Sequence, residues 1–474
     1  MLTRLEVSGF KNLIDLSVDL GPFTCIAGVN GTGKSNVFDA IQFLSLLADQ
    51  SMMDAAQQVR GVHGERLGDP RDLFWNGHAN GVHTMRFAAE MIVPASVEDD
   101  FGRQANPTTT FLRYELELGY EPPVGIERIG RLALRSESLR HIKQGDAHAH
   151  LRFPHSVKNF RSHVVTGRRS GQAFISTAEG HDGDPIVSIH QDGGSRGQPK
   201  PAAASRAPAT VVSTVTSSDD PTILAARREM QTWRRLALEP SALRTADSYT
   251  SPRNLMPDGL HLPATLFRIA FGSGEDGHAD QVYARVAGRL ADLSGVNVRR
   301  LEVLQDDVRQ LFTVQLEEAD GMVLPARSLS EGTLRFLALC VLLEDPEVQG
   351  LLCMEEPENG IHPANLEAMV QLVRDLAVDA SSRPDSDNPF RQILVNTHSP
   401  GVVQLVPKED LLFADSVVVR AHGGAMTRSL RLRPLKETWR AKHGDSAEVV
   451  TVADILPYLT APVGAQLSLP WGMA

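Results

Sequence analysis

The chain is poor in cysteine, with Cys25, Cys340 and Cys353 the only 3 in 474 residues. Each sits inside an apolar run, so buried reduced thiols are expected and no disulfide framework is implied. Long apolar runs are also lacking. No stretch of about 18 apolar residues occurs, so no membrane-spanning helix is expected. The opening MLTRLEVSGF has no basic region followed by an apolar one. It alternates like a strand, no secretory signal is read, and a cytoplasmic location is expected. Positive charge is not in excess: Lys and Arg number 47 against 58 Asp and Glu, a net charge of -11. Such a chain does not coat nucleic acid or anionic lipid non-specifically, and any DNA contact needs local patches. Internal repeats and sustained heptads are missing, so nothing supports a solenoid or a long coiled coil. What remains is ordinary for a soluble globular protein, with 42% hydrophobic and 22% charged residues, and the length suits two or three domains.

Residues 1–50 read as strand, turn, strand, loop and helix. Leu2, Leu5 and Val7 alternate, as do Leu16, Val18 and Leu20, and 23–27 is a short buried-type strand. A Gly-rich loop and an apolar helix over 36–48 follow. Val82 to Val93 reads as strand. From about 96 the character changes: 114–118 and 131–134 look like edge or hairpin strands. The Gly-, Ser-, Pro- and Ala-rich stretch 180–218 predicts a long mobile loop. Helices are expected over 221–238, where Pro221 suits a first turn, and over 278–293, with strands over 296–317. Beyond 322 the pattern is regular: helix 332–343, strand 351–354, helix 363–378 and strand 392–396. The expected division is an N-terminal lobe (1–95), an inserted α+β region (96–321) and a C-terminal lobe with tail (322–474).

The strongest chemical signal is Gly28-Val-Asn-Gly-Thr-Gly33-Lys34-Ser35, a complete G-x-x-x-x-G-K-S between a buried strand and a helix. Glycines there let backbone N–H groups turn inward around phosphate oxygens, and the helix adds its positive end. Lys34 would reach the β- and γ-phosphates, and the Ser35 hydroxyl would bind Mg²⁺. Asn30, Gly31, Thr32 and Asn36 complete the loop.

The second signal is an apolar strand ending in two acids, Leu351-Leu-Cys-Met-Glu355-Glu356-Pro357. Glu355 would hold Mg²⁺ through water, and Glu356 would orient and activate the attacking water. Alone, such a strand could equally end in a solvated acidic turn. Ser330-Glu-Gly332-Thr at a helix start can form an anion site, though alone it also reads as an N-cap. His398, in Asn-Thr-His-Ser-Pro after a strand, can contact a γ-phosphate or be a satisfied loop histidine.

P-loop, signature, acidic strand and histidine, in that order, resemble the ABC-type ATPase heads of the SMC, RecF and OLD proteins. GVNGTGKSN, SLSEGT, MEEPENGIHP and NTHSP are most similar to RecF- or OLD-like "AAA family" ATPases of bacteria, many of which accompany DNA repair or anti-phage defence. The implied fold is α/β: a P-loop NTPase head of the ABC type, a mixed β-sheet with flanking helices, here with an inserted α+β lid region. RLEVSGFKNL resembles the family's first strands, where the residues at Lys11 and Asn12 lie by the adenine. The resemblance implies a homodimer, or a higher homo-oligomer, in which two heads sandwich two ATP molecules. Ser330 and Gly332 of one head would close over the γ-phosphate held by the other. Asn359, Gly360, Ile361 and His362 match the D-loop, and His398 the switch histidine. Hydrolysis to ADP and phosphate would then be gated by dimer closure.

The chain departs from the family in several ways. Glu355 stands where the family usually has aspartate. No Q-loop glutamine can be placed, since Gln42 comes too early. The long coiled coil of SMC proteins is missing, and no acidic constellation resembles the OLD nuclease domain. Arg168-Arg169, Arg227-Arg228, Arg234-Arg235, Arg299-Arg300 and the basic stretch 428–442 read as solvated faces before phosphate contacts, and Trp233 and Trp439 as packing anchors. Two functions stay open: an ATP-driven enzyme of DNA maintenance or defence, with double-stranded DNA as a partner, or an ATP-loaded scaffold or sensor with slow hydrolysis that assembles or restrains a partner effector such as a nuclease or toxin. The long insertion argues against a transporter subunit, and no membrane partner is expected.

Overall fold

Alternating and continuous apolar runs at the N-terminus become the strands Leu2–Ser8, Leu16–Asp19 and Phe23–Ala27. The computed structural model describes residues 1–59, 69–75, 84–126, 128–167, 171–180, 184–192, 200–203, 206–272, 274, 277–294, 298–420, 426–443 and 449–459. The chain divides into two units, one comprising 1–234, 379–384 and 408–474, the other 235–378 and 385–407. This cut at Arg234/Arg235 differs from the expected divisions at 95 and 321.

In the first unit an eight-stranded antiparallel sheet runs in the order 200–203, 185–189, 175–179, 131–141, 111–121, 84–92, 2–8, 16–19. Its alternation sorts the side chains. Tyr114, Leu116 and Leu118 are buried, while Arg113, Glu115 and Glu117 on the same strand form the other face. That face is laced by ion pairs such as Arg113–Glu6 at 2.6 Å and Arg86–Glu117 at 2.8 Å. Phe23–Ala27 is buried at all five positions and pairs in parallel with Leu411–Arg420, which pairs antiparallel with Met426–Pro434. Continuous burial explains its lack of alternation. The helix Lys34–Leu47 presents Phe43 to Phe10 and Phe87, with ring centroids 5.8 Å from each.

In the second unit Gly350–Glu355 and Arg391–Thr397 pair in parallel, with Glu355 opposite Asn396. The helices Leu262–Phe271, His278–Ser294, Glu331–Glu344 and Leu366–Asp375 belong to the same unit. A hairpin of Val298–Asp306 and Leu311–Glu318 carries Val323–Pro325 and Asp247–Ser248 at its side.

Most expected elements are present, with three corrections. The stretch 180–218 is not simply a loop: Pro185–Ile189 pairs with Ile175–Glu179 and with Lys200–Ala203, and Val211–Thr214 is helical. Cross-strand pairing stabilises these residues despite their composition. The helix from Pro221 stops at Gln231, not Leu238, and a short strand Arg234–Leu236 follows the buried Trp233. The 114–118 and 131–134 strands extend to Phe111–Glu121 and Arg131–His141; they form the expected hairpin, and of the two alternatives the edge position falls away because both lie inside the sheet.

Candidate functional site

The first unit holds the phosphate-loop residues. Phe23–Ala27 delivers the chain to Gly28, and the helix begins at Lys34. Two glycines have geometric reasons. A Cβ on Gly28 would come 2.6 Å from the Ala414 carbonyl oxygen. Gly33 has φ +100° and caps the helix, and a Cβ there would strike the Asn12 side-chain amide. Lys34 is buried, and its Nζ donates to the carbonyls of Gly28 at 2.7 Å and Val29 at 2.9 Å. The Thr32 hydroxyl donates to Val29 O at 3.1 Å. No acid lies in the first turn of this helix, so its positive end keeps its pull on anions.

Lys11 and Asn12 brace this loop. The Asn12 amide donates to Thr32 O at 3.0 Å and accepts from Asn36 at 2.7 Å. Lys11, at φ +47°, pairs with Asp39 on the P-loop helix at 2.7 Å. Gly31 shows open space where a Cβ would stand, and Asn30 is exposed.

The second unit gathers the acids, the signature serine and the histidine. Glu355 ends its strand, and the Arg235 guanidinium lies 3.2 Å from its carboxylate. Glu356 adopts φ +46°, a left-handed conformation that costs a non-glycine residue about 1–3 kcal/mol. Its N–H donates to Asn396 O at 3.0 Å and to Asn396 Oδ1 at 3.2 Å. Its carboxylate meets His398 Nδ1 at 2.7 Å and accepts from Asn359 Nδ2 at 2.9 Å. Two residues on, Glu358 is buried and accepts from the Thr397 hydroxyl. A cleft of about 320 Å³ opens beside these acids, lined among others by Arg235, Glu239, Arg335, Glu355, Glu356 and Asn359.

Ser330 caps the helix Glu331–Glu344, accepting from Thr333 N at 3.1 Å. Gly332 abuts the loop after the acids, since a Cβ there would lie 3.0 Å from Gly360 O. Arg335, one turn along, donates to the Asn359 carbonyl. The signature start and the 359–360 loop are thus joined within one unit.

Sequence reasoning singled out Glu355, Glu356, Ser330, Gly332 and His398, and these lie in one unit. It missed Glu358, Asn396 and Thr397, and it read Arg235 as a surface charge. Glu358 had one available signal, a third acid in EEPE. Several of these arginines have in-chain partners: Arg228 with Asp100 at 2.5 Å, Arg299 with Glu317 at 3.0 Å and Arg300 with Glu302 at 2.8 Å. Arg168-Arg169 lies outside the described residues. Arg428 falls in the strand Met426–Pro434. Trp233 and Trp439 are buried, as expected of packing anchors. All three cysteines are buried and free, and burial pushes the Cys340 thiol up to about 12.

Residues 218–404 match the family described as "AAA domain, putative AbiEii toxin, Type IV TA system". The match spans the signature, both acids and His398. No curated protein matches the chain. Among solved structures it is similar to an SMC head bound to the C-winged helix domain of ScpA, with 12% identity, 92% of this chain and 98% of that one covered, and a TM-score of 0.46. It is also similar to the SMC head domain from Thermotoga maritima, with 12% identity, 91% and 98% coverage and a TM-score of 0.34. A third is an Smc head domain with an extended coiled coil, bound to the C-terminal domain of ScpA derived from Pyrococcus furiosus, with 11% identity, 91% and 96% coverage and a TM-score of 0.39. The resemblance to AAA-family ATPases, read from the order of the motifs, agrees with the AAA-domain match over residues 218–404, and the fold is the expected α/β one.

Proposed function

We propose that the chain binds ATP with Mg²⁺ on the loop Gly28–Asn36 and hydrolyses it, two copies pairing head to tail. The observation that carries this reading is Glu356. A water-activating carboxylate must be aimed, and this one sits on strained backbone, held by His398 and Asn359 at the tip of a buried strand. Backbone strain persists where the surroundings over-determine it, and such places cluster at working sites. Lys34 neutralises phosphate charge, and the open helix end after Gly33 adds N–H donors.

Ser35 and Glu355 would hold the cation. Hydroxyl and carboxylate oxygens suit Mg²⁺, which prefers few protein ligands plus water and phosphate oxygens. Phosphate oxygens of the nucleotide and water would complete the coordination of such an ion. When bound, it supplies charge neutralisation at the phosphates. Lys11 and Asn12 shape the loop from the adenine side. Ser330 and Gly332 of the partner head would close on the γ-phosphate, and His398 would pass its state to Glu356.

The test is Glu356→Gln. Without the base, ATP binds but is not cleaved, and the variant should accumulate as an ATP-dependent dimer in light scattering. A variant that stays monomeric with ATP would falsify the sandwich. The second reading is a slow ATP-loaded scaffold that restrains an effector. The printed description of the matched family, "putative AbiEii toxin, Type IV TA system", favours it over DNA repair. Turnover stimulated by double-stranded DNA would support DNA repair or anti-phage action. DNA-blind, slow turnover with a stable ATP-bound oligomer would support the scaffold.

A further inference from the structure

Three successive rungs join the turn after Glu355 to the end of the strand Arg391–Thr397. Glu356 N–H bonds the Asn396 carbonyl, the Thr397 hydroxyl bonds Glu358, and His398 bonds the Glu356 carboxylate. The outer rung is open to water: the His398 and Glu356 side chains are 40% and 29% exposed. An exposed pair of this kind holds its geometry weakly. The inner rung is different. Thr397 is 0% and Glu358 8% exposed, and Thr397 Oγ1 also accepts from Ser399 N at 2.9 Å.

We propose that Glu358 and Thr397 are positioning residues of the hydrolytic site, whose buried hydrogen bond locks the acidic turn to the histidine segment so that Glu356 and His398 move as one body. The inference rests on the reading of Glu356 as the water-activating group. Glu358 touches no reacting atom in this account and acts through Glu356 and His398. Its environment specifies how it bonds. Glu358 Oε2 is buried without a hydrogen-bond partner, and the nearby Glu356 carboxylate opposes a second negative charge. Burial first, then Glu356, raises its pKa, against the Thr397 bond, its own backbone N–H and His398. Glutamine keeps the length of Glu358 and the oxygen that accepts from Thr397. Aspartate is one methylene too short to reach.

The experiment measures kcat and KM for ATP, calorimetric ATP affinity and melting in the full chain. The variants are Glu358→Gln, Glu358→Asp, Glu358→Ala, Thr397→Val and the double Glu358→Ala/Thr397→Val. Misplacement of a catalytic pair by about 1 Å lowers turnover by up to about 100-fold. Glu358→Ala, Glu358→Asp and Thr397→Val should therefore lose about ten-fold or more in kcat, with KM and ATP affinity unchanged. Glu358→Gln should stay near wild type, and the double variant should be no worse than either single one. The clamp is overturned if folded Glu358→Ala keeps the wild-type kcat, if Glu358→Gln falls as far as Glu358→Ala, or if the two losses multiply. Should Glu358→Ala fail to fold, Thr397→Val and Glu358→Gln decide the same question. A wild-type protein that binds ATP but never cleaves it overturns the hydrolytic reading first, a result distinct from wild-type turnover that ignores Glu358.

Discussion

The phosphate loop and the acidic turn are built by opposite means. Around residues 28–36, small residues and backbone carbonyls set most of the geometry, with Lys11 and Asn12 as braces from outside, and even Lys34 is held by two main-chain oxygens. Around residues 355–359, side chains from two other segments do so: Asn396, Thr397 and His398 from one, and Arg235 from the other. A loop shaped by its backbone needs particular residues at fixed spacing. A carboxylate shaped by neighbours needs only that those neighbours arrive.

Lys34→Ala should have the largest effect. Removing a charge that faces phosphate costs about 2–5 kcal/mol, so ATP affinity should fall by about 100-fold in calorimetry while Glu356 keeps its partners. Unchanged affinity would erase the contrast, because the loop would then not be the binding half.

The same contrast recurs in two buried acids. Glu137, in the first unit, accepts from the backbone N–H groups of Val211 and Val212 and from the Tyr114 hydroxyl. Glu358, in the second, takes a side-chain hydroxyl. Burial pushes Glu137 up to about 7 from 4.5, against the lowering pull of its donors. Folding therefore takes up a proton between those values. The stabilisation is complete below about pH 4.5 and is lost as pH rises through about 7, on the order of 3 kcal/mol in total. Melting of the wild type should drop more than that of Glu137→Gln between about pH 5 and about pH 8. Equal drops would show that the carboxyl does not titrate in this window.

Gly33→Ala tests the backbone half directly. The new methyl group would meet Asn12 and sit at φ +100°. A loss of about 1–3 kcal/mol is expected in chemical denaturation. Adding Asn12→Ala should return only the part due to collision. Full recovery would mean that conformation carries none of the cost. The smallest effect belongs to the solvated face: Arg299→Gln should change stability by about 0.5 kcal/mol or less, since its partner Glu317 lies in an exposed pair. A marked fall in DNA-dependent turnover in that variant would instead make the arginine a phosphate contact.

The difference in construction explains what could be read in advance. G-x-x-x-x-G-K-S is a local pattern, and strand 23–27 and helix 36–48 emerged near their true bounds because burial period and glycine placement are local too. Glu356 and His398 could be singled out one by one, but not their bond, which joins residues 42 apart in sequence. Glu358 drew no notice because an acid in a polar turn looks solvated until Thr397 is placed 39 residues away. The stretch 180–218 misled for a related reason: its small residues gain their order from the neighbouring strand Ile175–Glu179.

By itself the sequence determined where a phosphate could be cradled, which strand would end in acids and which segments would be buried, since each follows from residue type at short range. Only the tertiary structure decided that Glu356 turns left-handed toward His398, that Arg235 faces Glu355 and that Glu358 is closed off from water. Those outcomes depend on which distant segments pack together, and hydrogen bonds between them have no signature in either segment alone.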